Sequence, residues 1–209
     1  SGGLVGSEMC IRDRNYSWKE LRSAVFKFAN YLKNNNIKKN DRIAAILPNI
    51  PETVISFLST AQLGAIWSSC SSDFGKKAII DRFKQIEPKV LLFSDYYFYN
   101  NKKVDTTKII KDVVYNIPSI EKIILIPYEF NETNYQLDFE YDNLYNILQQ
   151  EIEYSKFEKF NFNHPLYILY SSGTTGVPKC IVHSSGGALI QHKKEHVLCL
   201  LYTSDAADE

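Results

Sequence analysis

Short apolar runs alternate with amphipathic stretches along this chain, and that alternation limits the fold more than any other feature. The runs are 42–47 (RIAAIL), 65–69 (AIWSS), 90–93 (VLLF), 123–126 (IILI), 166–170 (LYILY) and 180–183 (CIVH). Runs of this length read as strands, and those without a polar alternation read as strands buried on both faces. The first intervening stretch opens with Ser17-Trp18-Lys19-Glu20, a capping box, and continues with Leu21, Ala24, Val25, Phe28 and Leu32 at helical spacing. A helix is expected to end at Asn34-Asn35-Asn36. A second is expected from Pro51, capped by Asn49 and stopped by Gly64. Further helices are expected over 76–87, 105–116 and near 141–150. Ser184 or Ser185 is expected to cap a last one. Strands alternating with helices predict an α/β fold: a mainly parallel sheet flanked by helices on both faces.

Length and composition set outer bounds. The chain has 209 residues, of which 44% are hydrophobic and 23% charged, a range ordinary for a globular domain. Lys+Arg and Asp+Glu both number 24. A balanced charge leaves no electrostatic footprint for nucleic acid or an anionic membrane. No apolar run approaches a membrane span, so a soluble cytoplasmic protein is expected. Cys10, Cys70, Cys180 and Cys199 include no CxxC pair, which speaks for reduced thiols and against a zinc knuckle.

The chemistry concentrates in one loop. Ser171-Ser172-Gly173-Thr174-Thr175-Gly176-Val177-Pro178-Lys179 joins two of the apolar runs, and four of the nine glycines fall between Gly173 and Gly187. Glycines permit close backbone approach. Hydroxyls, backbone N–H groups and one ammonium together suit a polyphosphate. The loop is not a Walker A motif: Gly173 and Gly176 are too close, and Pro178 precedes the lysine.

SSGTTGVPK resembles the phosphate-binding signature of the adenylate-forming superfamily, which includes acyl-CoA synthetases, luciferases and peptide-synthetase adenylation domains. YSWKEL, FANYLKNNNIKKNDRIAAILPNIPE, LGAIWSS and DRFKQIEPKVL stand in that family's order. The resemblance covers about 15–198. Within the superfamily, GAIWSSCSSDFG and YSSGTTGVPKCIVHSSGG are most similar to the acetoacetyl-CoA synthetase branch. Acetyl- or other short-chain acyl-CoA synthetases are the alternative. Two positions depart from the common pattern. Cys180 replaces a glycine, and Asn40-Asp41 replaces Gly-Asp. Asparagine tolerates the left-handed backbone that such a turn needs.

The resemblance implies an AMP-forming acid–thiol ligase using ATP, Mg2+ and CoA. A carboxylate, acetoacetate on the branch resemblance, would attack the α-phosphorus of ATP, and CoA would then displace AMP. Ser171, Ser172, Gly173, Thr174, Thr175, Gly176 and Lys179 match the phosphate-holding residues, with Lys179 the catalytic candidate. His183, Gly186 and Gly187 are candidates for the acyl or nucleotide vicinity. His183 also reads as a hydrogen-bonded strand-end histidine, and the glycines as a loosened helix start. Trp67, Ser68, Asp73, Phe74 and Gly75 resemble a segment near the CoA channel. The first reading of them remains strand core followed by a helix capped by Asp73. Lys102 and Lys103 could meet CoA phosphates or form a solvated pair on a loop.

A reading from another class rests on His192, Glu195 and His196, which fit H-x-x-E-H and would make a zinc hydrolase if a third ligand joined them. Apart from the Mg2+ that accompanies ATP, no residues are otherwise expected to hold a metal. The stretches 1–14 and 199–209 carry no periodicity continuous with their neighbours and resemble translated sequencing-adapter read-through. They are expected to be non-native and unpacked, which leaves 15–198 as a partial AMP-binding domain. The resemblance places the adenine and ribose sites, the hinge and a C-terminal catalytic lysine beyond residue 209, so the chain alone is expected to be inert.

Overall fold

A computed structural model describes residues 16–151, 157–171, 176 and 178–200. The chain runs α1 (Trp18–Asn34), β1 (Arg42–Ile46), α2 (Pro51–Gln62), β2 (Ile66–Cys70), α3 (Lys76–Ile86) and β3 (Val90–Phe93). A hairpin follows, β4 (Tyr96–Tyr99) and β5 (Lys102–Asp105), then α4 (Thr107–Asn116) and β6 (Lys122–Leu125). The remainder is β7 (Asp142–Asn143), α5 (Leu144–Gln149), β8 (Pro165–Tyr170), β9 (Cys180–Ser184) and α6 (Ser185–Glu195) with a π-turn at His196–Leu200. Among the described residues the main sheet has seven strands in the order β7-β6-β3-β1-β2-β8-β9. Every pairing is parallel except β8 with β9.

Side chains alternate across the sheet, as the pleat requires. Ile43, Ala45, Trp67, Val90, Leu92 and Ile124 face a core made with α1, α2 and α5. Ala44, Ile46, Ile66, Leu91, Phe93 and Leu125 face a second core made with α3 and α4. Both faces of β1 and β3 are therefore covered, which explains why their sequences show no polar alternation.

The helix boundaries follow local chemistry. Ser17 and Glu20 form the expected capping box, each satisfying the other's backbone N–H. Gly64 has a φ of 65°, and a Cβ there would lie 2.4 Å from the Phe160 ring. Only glycine fits that turn. Asn40 takes a φ of 70° in the turn before β1, the conformation its sequence position called for. Two expected caps fail. Ile50, not Asn49, is the residue before α2, and no side chain caps that helix. Gly75, not Asp73, precedes α3, again with no side-chain cap. Pro51 at the start of α2 already removes one orphan N–H, which lessens the need for a cap there.

The β4–β5 hairpin is an addition to the sequence reading. Asn100 and Asn101 have φ values of 48° and 59°, so the turn takes the left-handed form that matches strand twist. Lys102 and Lys103 lie on β5 and not on a loop. Asp95 pins this hairpin to the end of β3. Its buried carboxylate accepts from the Tyr96 N–H (3.0 Å), the Tyr128 N–H (2.8 Å) and the Tyr135 hydroxyl (2.7 Å). The expectation for the chain ends falls, for 1–14 and 201–209, outside the described residues.

Candidate functional site

The 171–179 loop leaves the sheet at the C-terminal end of β8. In an open parallel sheet that edge is where ligands gather, because the connecting segments there vary without disturbing the core. Strands β2 and β8 are parallel neighbours, with Trp67 level with Tyr167 and Ser68 level with Ile168. The segment after β2 and the loop after β8 thus rise from one edge, side by side.

The neck of the loop is closed by two hydrogen bonds. The Ser171 N–H donates to the Lys179 carbonyl (3.0 Å), and the Lys179 N–H donates to Ser171 Oγ (3.1 Å). Gly176 has a φ of 151°, outside the range that side chains favour. Lys179 is exposed, and no described carboxylate pairs with it. An unpaired cation beside the Ser171 hydroxyl suits an anionic ligand better than a cation. Ser172, Gly173, Thr174 and Thr175 lie outside the described residues.

Helix α3 flanks this neck. The Arg82 guanidinium lies over the Phe74 ring at 4.8 Å and the Tyr170 ring at 5.7 Å from their centroids. Tyr170, the last residue of β8, also shares a 3.0 Å hydrogen bond with Ser68 Oγ. Burial pushes the Tyr170 hydroxyl above the usual tyrosine range, so it stays neutral here. Burial likewise pushes the Cys70 thiol up to about 12 and raises that of Cys180. Neither thiol is an activated nucleophile in this setting.

The other sequence candidates divide. Trp67 is buried between the sheet and α2, edge-on to Phe57 at 6.0 Å. Ser68 is fully buried, and its hydroxyl donates to the Ile168 carbonyl (3.0 Å). Both knit the sheet together. Asp73 is exposed, Phe74 sits under Arg82, and a Cβ at Gly75 would meet nothing within 4 Å. His183 stacks on Tyr167 at 4.9 Å across the β8–β9 pair. Gly186 is fixed by packing: a Cβ there would lie 2.2 Å from the Phe162 ring. The Gly187 N–H donates to the Ser184 cap, and a Cβ there would approach that hydroxyl to 2.9 Å. Lys103 lies 3.6 Å from the centroid of the Tyr96 ring. His192 and Glu195 lie on α6, with His196 in the turn beyond it. Among the described residues no group of three or more His, Cys, Asp or Glu stands together to hold a metal. Among them, too, no helix is long and apolar enough to cross a membrane.

Arg82 and Gln85 escaped the sequence reading. They sit inside an amphipathic helix, where a polar residue reads as solvent-facing. Their spacing of three residues, which places them on one face, is the only signal the sequence offers.

Comparison with known proteins agrees with this geometry. Residues 6–204 match the family described as AMP-binding enzyme. An acetoacetyl-coenzyme A synthetase of Rhizobium meliloti is 43% identical over 189 residues, 86% of this chain and 28% of that protein. An acetoacetyl-CoA synthetase of Macaca fascicularis is 40% identical over 188 residues, 87% of this chain and 28% of that protein. Among solved structures, an acetoacetyl-CoA synthetase from Streptomyces lividans superposes with a TM-score of 0.80 at 37% identity, covering 87% of this chain and 27% of that one. The chain thus spans just over a quarter of the length of these relatives.

Proposed function

The chain belongs to the AMP-binding enzyme family, and from that premise we propose that it is the front part of an AMP-forming acid–CoA ligase that activates acetoacetate. The observation that carries the reading is the 171–179 loop, closed at its neck by Ser171 and Lys179 at the C-terminal edge of a parallel sheet. Similarity to proteins named acetoacetyl-CoA synthetase supports the choice of acid.

On this reading Ser171, Ser172, Thr174, Thr175 and Lys179 hold the β- and γ-phosphates of ATP, while Gly173 and Gly176 let the backbone close over them. Magnesium would enter with the nucleotide and neutralise the departing pyrophosphate. Lys179 contributes a charge where negative charge builds up in the transition state, so it acts on rate more than on ATP affinity. The setting is cytoplasmic, and the partners are ATP, CoA and a short-chain carboxylate. Phosphate contacts alone do not orient a nucleotide for in-line attack, so the chain by itself is expected to be inert.

The test uses the complete protein that carries this chain. Thioester formation is measured with ATP, magnesium, CoA and a panel of carboxylic acids. Acetoacetate is expected to be preferred, with acetate or another short acid next. A preference for a long-chain or aromatic acid rejects the acetoacetate reading, and absence of AMP formation with every acid rejects the ligase reading.

A further inference from the structure

Resting on the ligase reading, we propose that Gln85 is a positioning residue, whose side-chain amide on α3 fixes the leg of the loop that carries Lys179. The amide is fully used. Its Nε2 donates to the Asp81 carbonyl one turn back on α3 (2.7 Å) and to the Pro178 carbonyl (2.9 Å). Its Oε1 accepts from the Cys180 thiol (3.6 Å). Pro178 and Cys180 are the two neighbours of Lys179, so one side chain holds the backbone carbonyl before it and the thiol side chain after it. The bond from Lys179 N–H to Ser171 Oγ adds a third restraint. The Lys179 side chain itself stays exposed and available to a ligand.

Residue chemistry makes the bridge specific. Glutamate at position 85 would lose the donor and set a carboxylate against the Pro178 carbonyl. Asparagine would be one methylene too short to reach while still bonded to Asp81. Glycine at position 180 would offer Oε1 no donor, and the raised pKa of Cys180 keeps its proton in place. Arg82, three residues before Gln85 on the same helix face, meets the other leg through Tyr170. Helix α3 therefore grips the loop from both sides of its neck. Gln85 is exposed, so replacing it leaves the core intact.

Reactions that depend on alignment lose rate steeply when a charged group is displaced by a fraction of an ångström to an ångström. The experiment measures ATP–pyrophosphate exchange in the complete protein for Gln85→Ala, Cys180→Ala, Cys180→Ser and the Gln85→Ala/Cys180→Ala pair. The alkylation rate of Cys180, resolved by mass spectrometry, and the melting temperature are read on the same samples. Gln85→Ala is expected to lower kcat roughly tenfold or more, with the melting temperature and the KM for the acid unchanged. Cys180→Ala is expected to lower kcat in the same direction, Cys180→Ser to restore it, and the double variant to be no slower than the slower single one. Cys180 alkylation should speed up in Gln85→Ala. Unchanged exchange in Gln85→Ala overturns the proposal even if alkylation rises, because the contact is then only structural. If the wild type exchanges pyrophosphate with no acid at all, the ligase reading fails. The alkylation rates then decide alone whether Gln85 holds the leg: faster alkylation in Gln85→Ala upholds that restraint, and an unchanged rate removes it.

Discussion

Strands β1 and β3 share a sheet with β8 and β9, yet the two pairs are in opposite condition. From Ile43 onward β1 is buried, and so is all of β3, with helices on both faces. In β8 and β9, Leu169, Ile181 and Val182 are 45%, 47% and 57% exposed. The uncovered pair is where the proposed chemistry lies, since the 171–179 loop joins β8 to β9. On the proposed reading the centre of the sheet supplies stability and the rim supplies function, and substitutions should separate the two.

The largest effect is expected at the centre. Phe93 is fully buried and meets the rings of Phe139 and Tyr141 edge-on at 6.2 and 6.4 Å. Phe93→Ala should destabilise the fold by about 3–5 kcal/mol, the usual cost of emptying an aromatic site in a core. Urea unfolding monitored by circular dichroism measures it. A loss below about 1 kcal/mol, the scale of an ordinary surface-to-average substitution, would break the contrast at its firmer end.

At the rim the expected effect is on rate. Lys179→Ala in the complete protein should slow adenylate formation by roughly 10- to 1000-fold, the range for removing one electrostatic stabiliser. Its exposed side chain makes no described ion pair, so the melting temperature should hold. Pyrophosphate exchange at the wild-type rate would show that the loop does not handle the phosphates.

The same contrast explains what could be read from the sequence. The centre was legible because burial on both faces removes polar residues, leaving RIAAIL and VLLF as unambiguous runs. The 171–179 loop stood out as a candidate because few chemistries need glycines, hydroxyls and a lysine so close together. Contacts between distant segments were not legible. Asp95 binding Tyr135, and Gln85 reaching Pro178 and Cys180, depend on the fold and leave no periodic trace. The β4–β5 hairpin was missed because its turn is Asn100-Asn101, without the glycine that usually marks such turns. Asp73 looked like a cap because its type suits one, but α3 begins three residues later, at Lys76. Gly186 read either as space left for a ligand or as a loosened helix start, and the Phe162 ring fills the space beside it.

A smaller effect is expected at the far edge of the sheet, where Asp142 on β7 ties two elements together. Its Oδ2 accepts from the Tyr31 hydroxyl of α1 (2.5 Å) and from Lys122 Nζ of β6 (2.8 Å). Burial pushes the Asp142 pKa up, but the bonds from Lys122 and Tyr31 outweigh it and hold it below the usual range. A depressed folded-state pKa contributes stability above the unfolded value, near 4 for aspartate, and that contribution is lost as pH falls through the folded value. Asp142→Asn should therefore cost less than about 1 kcal/mol at pH 7, because the pair is partly solvated. It should also flatten the fall in melting temperature below about pH 4. An unchanged acid limb of the melting curve would remove Asp142 from the account.

Within this chain the smallest effect is expected on β9. Ile181 and Val182 point to opposite faces of an edge strand, and both stay largely exposed. Ile181→Thr and Val182→Thr keep the branched shape that suits a strand and should each change the stability of this chain by no more than about 0.5 kcal/mol. The complete protein should respond differently. The relatives that this chain matches are more than three times its length, so β9 in the complete protein has further chain available to cover it. Burying a branched aliphatic side chain is worth about 1.5–3 kcal/mol, and threonine would put a hydroxyl into that cover. The same two substitutions should then cost about 1–3 kcal/mol in the complete protein. A pair of melting series, one on each protein, measures the difference. Equal, near-zero changes in both would mean that β9 remains a solvent-facing edge in the complete protein, and the rim would then be exposed by design and not for want of a neighbour.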